Sequence, residues 1–319
     1  MTKNKREIII IAECCQNHNG DVDILKQMVC EAAHAGAAYV KIQTMYADEL
    51  TKRERFELGK ESIRRPYTEE YNRLKKLELT KEAHQEFLQE CTRHHIKPLT
   101  TVFTQMSIPL VKDLGFSEIK VASSDCSSYP MITRLKEQFT NMFISTGMTF
   151  PEEIEKTAGI MKGKTYSFLH CVSIYPTPLD KLHLAKLHYL QRFTPTVGFS
   201  DHTLVKRDGL KAAKTAIVEG ADIIERHFTI LPENQTKDGP ISINPEQLKE
   251  LVEFTKLDTI EMNQYIKKEI PEWKTMIGME HPCLSLEELR HRDYYRGRFA
   301  SMINGKYLYN FEEYEHQKG

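Results

Sequence analysis

Residues Glu7–Gly20 read EIIIIAECCQNHNG, a short apolar run rich in β-branched side chains that ends on a glutamate and passes into a polar loop. Such a run reads as a buried strand. In a doubly wound open sheet the first strand normally leads into a glycine-rich phosphate loop. Here it leads into ECCQNHNG, and no GxGxxG or P-loop pattern occurs anywhere in the chain. The competing architecture is a closed barrel.

Working outward, seven more runs of this kind follow: Ala38–Thr44, Lys97–Phe103, Glu118–Ser123, Met142–Thr146, Tyr166–Val172, Thr196–Ser200 and Asp222–Phe228. Segments with apolar residues at three- and four-residue spacing lie between them, among them Val22–Ala35, Lys81–His95, Pro151–Met161 and Leu204–Glu219. Strand and amphipathic helix in alternation is the pattern of parallel βαβ units. Eight such units with right-handed crossovers close into an α/β fold of the (β/α)8 TIM barrel type. After Asp238, NPEQLKELVEFTKLDTIEMNQYIKK reads as one long amphipathic helix that completes the eighth unit. The expected organisation is a catalytic barrel over 1–279 and a tyrosine-rich C-terminal extension over 280–319.

The polar residues fall where a barrel enzyme needs them. Most strands become polar or ionisable at their C-terminal ends: Glu13, then Lys41 and Gln43, Thr101, Lys120 and Ser123, Ser145, His170 and Ser173, Ser200 and His202, Glu225 and His227. Residues two apart on a strand share a face, so Lys41 with Gln43 and Glu225 with His227 point the same way. If that way is inward, these groups converge on the C-terminal mouth, where barrel enzymes carry their chemistry. Ordinary polarity at strand-to-loop transitions accounts for the serines and threonines. It accounts poorly for lysines and histidines flanked by Val, Ile and Phe.

His202 and His227 close neighbouring strands, so their imidazoles can share one metal ion, and two imidazoles alone suit an open Lewis-acid site better than a closed structural zinc. Lys41 and Lys120 sit inside apolar strands, where an ammonium requires an anion. A salt bridge to Glu13 or Glu225 meets that need, and so does a bound phosphate or carboxylate, with Thr101, Ser123, Ser145 and Ser200 completing its shell. Glu13 can accept a proton or stabilise developing positive charge. Asp238 can hold sugar hydroxyls or polarise a water, although Asp-Gly is also a common turn dipeptide.

A formal net charge of −1 and 28% charged residues exclude the strongly basic footprint of a nucleic-acid binder. About five consecutive apolar residues near the start are too few for a signal segment or a membrane span, so a cytoplasmic protein is expected. The seven cysteines contain no CxxC pair, which argues against a disulfide framework or zinc ribbon, and Cys14 and Cys15 read as small buried hydrophobes at a strand end.

AECCQNHNGD (Ala12–Asp21), GAAYVKIQT, LTTVF, KVASSD, ISTGM, LHCVSIYPTP, GFSDHT and IIERHFT occur in this order. Together they make the chain resemble the sialic acid (N-acetylneuraminate) synthase family over roughly Ile8 to Ile277. The resemblance implies condensation of phosphoenolpyruvate with an open-chain amino-sugar aldehyde of the N-acetylmannosamine type, with phosphate leaving by C–O cleavage. It implies a divalent metal, manganese before magnesium or cobalt, held by His202 and His227. Lys41, Thr101, Lys120, Ser123, Ser145 and Ser200 would hold phosphoenolpyruvate, with Ser173 near it. Gln43, Asp125, Tyr175 and Asp238 would line the acceptor side, and Glu13 would be the catalytic glutamate. A homodimer is also implied.

The chain departs from the family pattern in four places. Glu13-Cys14-Cys15 replaces Glu-Ile-Gly, and Ser173 replaces an asparagine. Thr236-Lys237-Asp238-Gly239 replaces Gly-Pro-Asp-His. The C-terminal antifreeze-like domain, whose arginine reaches the sugar in relatives, is not expected after RGRFASMINGKYLY. The segment Tyr294–Tyr314 would then close the mouth, with Arg296 or Arg298 in place of that arginine, or else pack along the barrel flank. Two rival functions remain. One is an octulosonate-phosphate or heptulosonate-phosphate synthase, which needs a second basic phosphate site that the sequence does not make evident. The other is a weakly active barrel kept as a binding partner.

Overall fold

Side chains alternate along a strand, so each strand of a closed barrel contributes to an inner and an outer layer. The computed structural model describes residues 6–59 and 63–314. Within them, eight parallel strands pair in sequence order and close β8 onto β1. They are β1 (Ile9–Cys15), β2 (Tyr39–Thr44), β3 (Lys97–Val102), β4 (Glu118–Val121), β5 (Asn141–Ser145), β6 (Thr165–Cys171), β7 (Val197–Asp201) and β8 (Ile223–His227). The expected (β/α)8 barrel is the observed fold.

Ile11, Tyr39, Leu99, Phe143, Leu169 and Ile223 form a buried plug inside the barrel. A much larger apolar cluster fills the space between the strands and the helices. Two residues beyond each plug residue, on the same face, stand Glu13, Lys41, Thr101, Ser145, Cys171 and Glu225. The apolar plug therefore positions a polar layer directly above itself, toward the C-terminal ends of the strands. His170, one residue off this parity, faces outward instead. Its Nε2 donates to the Leu182 carbonyl at 2.6 Å, so it does not join the mouth as the sequence suggested.

Asp21 and Thr80 cap the helices Val22–His34 and Lys81–Arg93, supplying side-chain oxygens to free backbone N–H groups of the first turn. Two expected single helices are each split. The segment after Leu204 breaks at Gly209, whose φ of 55° leaves Val205–Asp208 and Lys211–Val218 as separate pieces. The long helix after Asp238 is two, Pro245–Phe254 and Thr259–Glu269. Asp258 starts the second by accepting from the Ile260 and Glu261 N–H groups, a capping interaction that a continuous helix does not need.

Beyond Ile277 the chain forms the helix Leu286–Tyr295 and a hairpin of β9 (Ala300–Ile303) and β10 (Lys306–Tyr309). This extension lies across the barrel's own mouth rather than along its flank. Phe299 packs with Met45, Ala47, Leu50 and Leu74. Thr51 N–H donates to the Arg298 carbonyl, Asn310 Nδ2 donates to the Phe103 carbonyl, and Arg292 pairs with Glu153. No described helix is long and apolar enough to cross a membrane.

Candidate active site

The polar layer above the plug is a charge-balanced cluster. Lys41 is in direct contact with Glu13, and its Nζ also donates to Thr101 Oγ1 at 3.1 Å. Lys120 Nζ donates to Ser145 Oγ at 2.6 Å. Glu225 lies 4.0 Å from Lys41 and 3.9 Å from Lys120, and Ser200 donates to its Oε1 at 2.9 Å. Burial would raise the Glu225 carboxyl, but the charges of Lys120 and Lys41 and the Ser200 hydrogen bond outweigh it and hold the group below its ordinary value. Two lysines thus face two carboxylates, the first of the two arrangements their placement allowed.

Above this layer lies a cavity of about 350 Å³. Of the residues singled out from sequence, Gln43, Ser123, Asp125, Tyr175, His227 and Asp238 line it. Glu13, Lys41, Thr101, Lys120, Ser145 and Ser200 are buried in the layer beneath, and Ser173 and His202 are buried too, outside the cavity lining. Ser123 Oγ accepts from the Gly147 N–H at 3.1 Å. A β-carbon on Gly147 would stand 2.4 Å from Ser173 Oγ and 2.9 Å from Ser123 Oγ, so only a glycine leaves room for both hydroxyls there.

Tyr175 covers His202, with ring centroids 4.2 Å apart, and the His202 and His227 rings are 5.3 Å apart. His202 Nδ1 donates to the Val172 carbonyl at 3.2 Å, which orients the ring and leaves Nε2 available to a cation. Burial pushes the His227 imidazole down to about 3, so it is neutral at physiological pH, and its buried Nδ1 has no hydrogen-bond partner. Asp238 lies beside it. A neutral imidazole with an unused nitrogen next to a carboxylate fits a divalent cation.

Sequence reasoning missed two features, the role of Cys15 and a basic cluster. Cys15 is not a core hydrophobe like Cys14: it lines the cavity, and its thiol donates to Asp238 Oδ2 at 3.0 Å. Of the two arginines the sequence offered, Arg298 lines the cavity from the extension, whereas Arg296 lies against Phe311 and Glu153. Four cations, Arg65, Arg73, Lys237 and Arg298, gather on one side of the cavity around the single carboxylate of Glu70. That basic cluster could not be read from the sequence, because its members come from three separate segments: the stretch holding Arg65 and Arg73, the loop holding Lys237 and the extension holding Arg298.

A model of the NeuB family matches residues 28–266. The chain belongs to the NeuB family. Across 254 residues it is 33% identical to the N,N'-diacetyllegionaminic acid synthase of Legionella pneumophila, covering 76% of this chain and 70% of that one. Across 299 residues it is 30% identical to the N-acetylneuraminate-9-phosphate synthase of Drosophila melanogaster, covering 86% and 79%. The crystal structure of an N-acetylneuraminic acid synthetase from Leptospira borgpetersenii superposes with a TM-score of 0.70 at 26% identity over 85% of this chain and 90% of that one. Membership of the NeuB family meets the expectation of a sugar-acid synthase, a transferase that forms a carbon–carbon bond. A truncated heptulosonate-phosphate synthase from Thermotoga maritima, at TM-score 0.59 and 14% identity over 83% of this chain and 89% of that one, shares the fold alone.

Proposed function

We propose that the chain condenses phosphoenolpyruvate with an open-chain amino-sugar aldehyde to give a nonulosonic acid. The observation that carries this reading is the vertical order of the site. A buried layer of paired lysines and hydroxyls lies beneath a cavity lined by Gln43, Asp125, Tyr175 and Asp238. Small trianionic phosphoenolpyruvate suits the lower layer. There Lys41 and Lys120 turn from Glu13 and Glu225 to its carboxylate and phosphate, and Thr101, Ser123, Ser145, Ser173 and Ser200 supply hydroxyls. The sugar occupies the cavity above, so C3 of phosphoenolpyruvate faces the aldehyde carbon.

In the reaction C3 bonds to the aldehyde carbon, and the carbonyl oxygen gains a proton. Water adds at C2, and the C2–O bond to phosphate breaks. His202 and His227 would hold a divalent metal whose chemistry is Lewis-acid polarisation of the aldehyde oxygen. Glu13 stabilises positive charge developing at C2 and can take the proton of the adding water.

The basic cluster bears on the acceptor. Glu70 can neutralise one of four cations, and the excess favours an acceptor with an anionic group, such as a sugar phosphate, over a neutral sugar. Lys237 shows the crowding: burial and the repulsion of Arg73 push its ammonium down to about 8. The test is phosphate release from phosphoenolpyruvate with N-acetylmannosamine, its 6-phosphate and bacillosamine-derived sugars. Turnover with none of them sinks the condensation reading. A preference for neutral sugars sinks only the anionic acceptor.

A further inference from the structure

Cys15 occupies an unusual backbone position. β1 slips its register against β2 between Glu13 and Cys15, and Cys15 has a φ of 46°, in the left-handed region where glycine is the ordinary occupant. Cys15 shares the parity of Ile11 and Glu13, and its side chain lines the cavity. Its Sγ, one ring nitrogen of His227 and one carboxylate oxygen of Asp238 all lie within 4.8 Å of one another. His227 is 7% exposed, and its Nδ1 lacks any hydrogen-bond partner. A buried polar atom left unpaired is costly, and here it belongs to a residue type that ligates metals. The other thiol near the histidines, Cys171, lies 3.7 Å from His202 Nδ1 and outside this trio.

We propose that Cys15 is a thiolate ligand of the metal that His227 would share with His202, with Asp238 beside it, so that the site takes a thiophilic divalent ion such as zinc, cobalt or iron in preference to manganese. This rests on the metal-assisted condensation proposed above. When the ion binds, the S–H bond that now points at Asp238 is lost, its proton leaves to solvent, and a sulfur–metal bond takes its place. Sulfur in the donor set moves selectivity from hard toward softer ions.

The full chain, stripped of metal by chelation and titrated anaerobically with cobalt(II), tests the assignment by absorption. A near-ultraviolet thiolate-to-cobalt band is expected in the unaltered protein and in Cys171→Ser. It should be absent in Cys15→Ser and Cys15→Gly, the latter suiting the left-handed backbone and so retaining the fold. In competition experiments Cys15→Ser should lower zinc affinity relative to manganese by about tenfold or more. Cobalt bound without the band, or a band that survives Cys15→Ser, overturns the proposal. Failure of cobalt to bind at all overturns the metal reading itself, and this inference with it.

Discussion

Asp201 and Arg226, neither with any exposed side-chain surface, form an ion pair at 2.7 Å that ties the end of β7 to the end of β8. Arg226 also donates to the carbonyls of Asp201 and Thr203, on either side of His202. The outer face of these strands thereby sets the backbone from which His202 and His227 project inward. Removing one partner leaves a buried charge without compensation, so Arg226→Met should destabilise the fold by about 3–5 kcal/mol in urea unfolding. Adding Asp201→Leu to it should restore part of that loss. An additive double mutant would mean the pair does not act as a unit.

Replacing either His202 or His227 by alanine should lower turnover by more than about 100-fold, the scale of lost charge stabilisation at the aldehyde. Circular dichroism should still report a folded barrel, because His227 lines the cavity and His202 lies under Tyr175, neither in the apolar layer. Near-normal turnover in either variant, after chelation and readdition of metal, would remove that histidine from the metal site.

Lys41→Met and Lys120→Met should raise the KM for phosphoenolpyruvate roughly 10- to 100-fold, the worth of a hydrogen bond to a charged group, with a much smaller effect on the sugar KM. Each change also strands a carboxylate, Glu13 or Glu225, so a lower melting temperature is expected as well. Equal effects on both substrates would contradict the vertical order of the site.

Deleting the chain from Arg292 onward should reduce thermal stability and raise the acceptor KM, since Arg298, Phe299 and Asn310 all line the cavity. Arg298→Ala alone should raise the acceptor KM about tenfold, whereas Arg296→Ala should leave it near its original value. Stability lost with unchanged kinetics would make the extension purely structural.

The closure should also loosen in acid. Burial acts to raise the Glu70 carboxyl, but the Arg73 hydrogen bond and the charges of Arg298, Arg73 and Lys237 win and hold it down at about 2, from an ordinary 4.5. Because the folded value is the lower one, the stabilisation is complete above about 4.5 and is lost as pH falls toward about 2. Limited proteolysis of the extension should therefore accelerate across that window. Glu70→Gln should show the faster cleavage already at neutral pH, and an unchanged rate would dissociate Glu70 from holding Arg298.

The strand-and-helix alternation, the absence of a glycine-rich loop and the polar strand ends determined the barrel and most of the polar layer from sequence alone. The reason is periodicity: on a strand, position two beyond an apolar plug residue must share its face, so Glu13, Lys41, Thr101, Ser145 and Glu225 follow from Ile11, Tyr39, Leu99, Phe143 and Ile223. The same alternation turns His170 outward, one residue out of phase with Leu169 and Cys171, and gives Cys15 the parity of Ile11 and Glu13. Tertiary structure alone decided that Cys15 meets Asp238, which comes from the loop after β8. Arg65 and Arg73 lie on the segment of Glu70 itself, but Lys237 comes from the loop after β8 and Arg298 reaches Glu70 only when the extension folds back over the mouth, and no local pattern encodes those contacts.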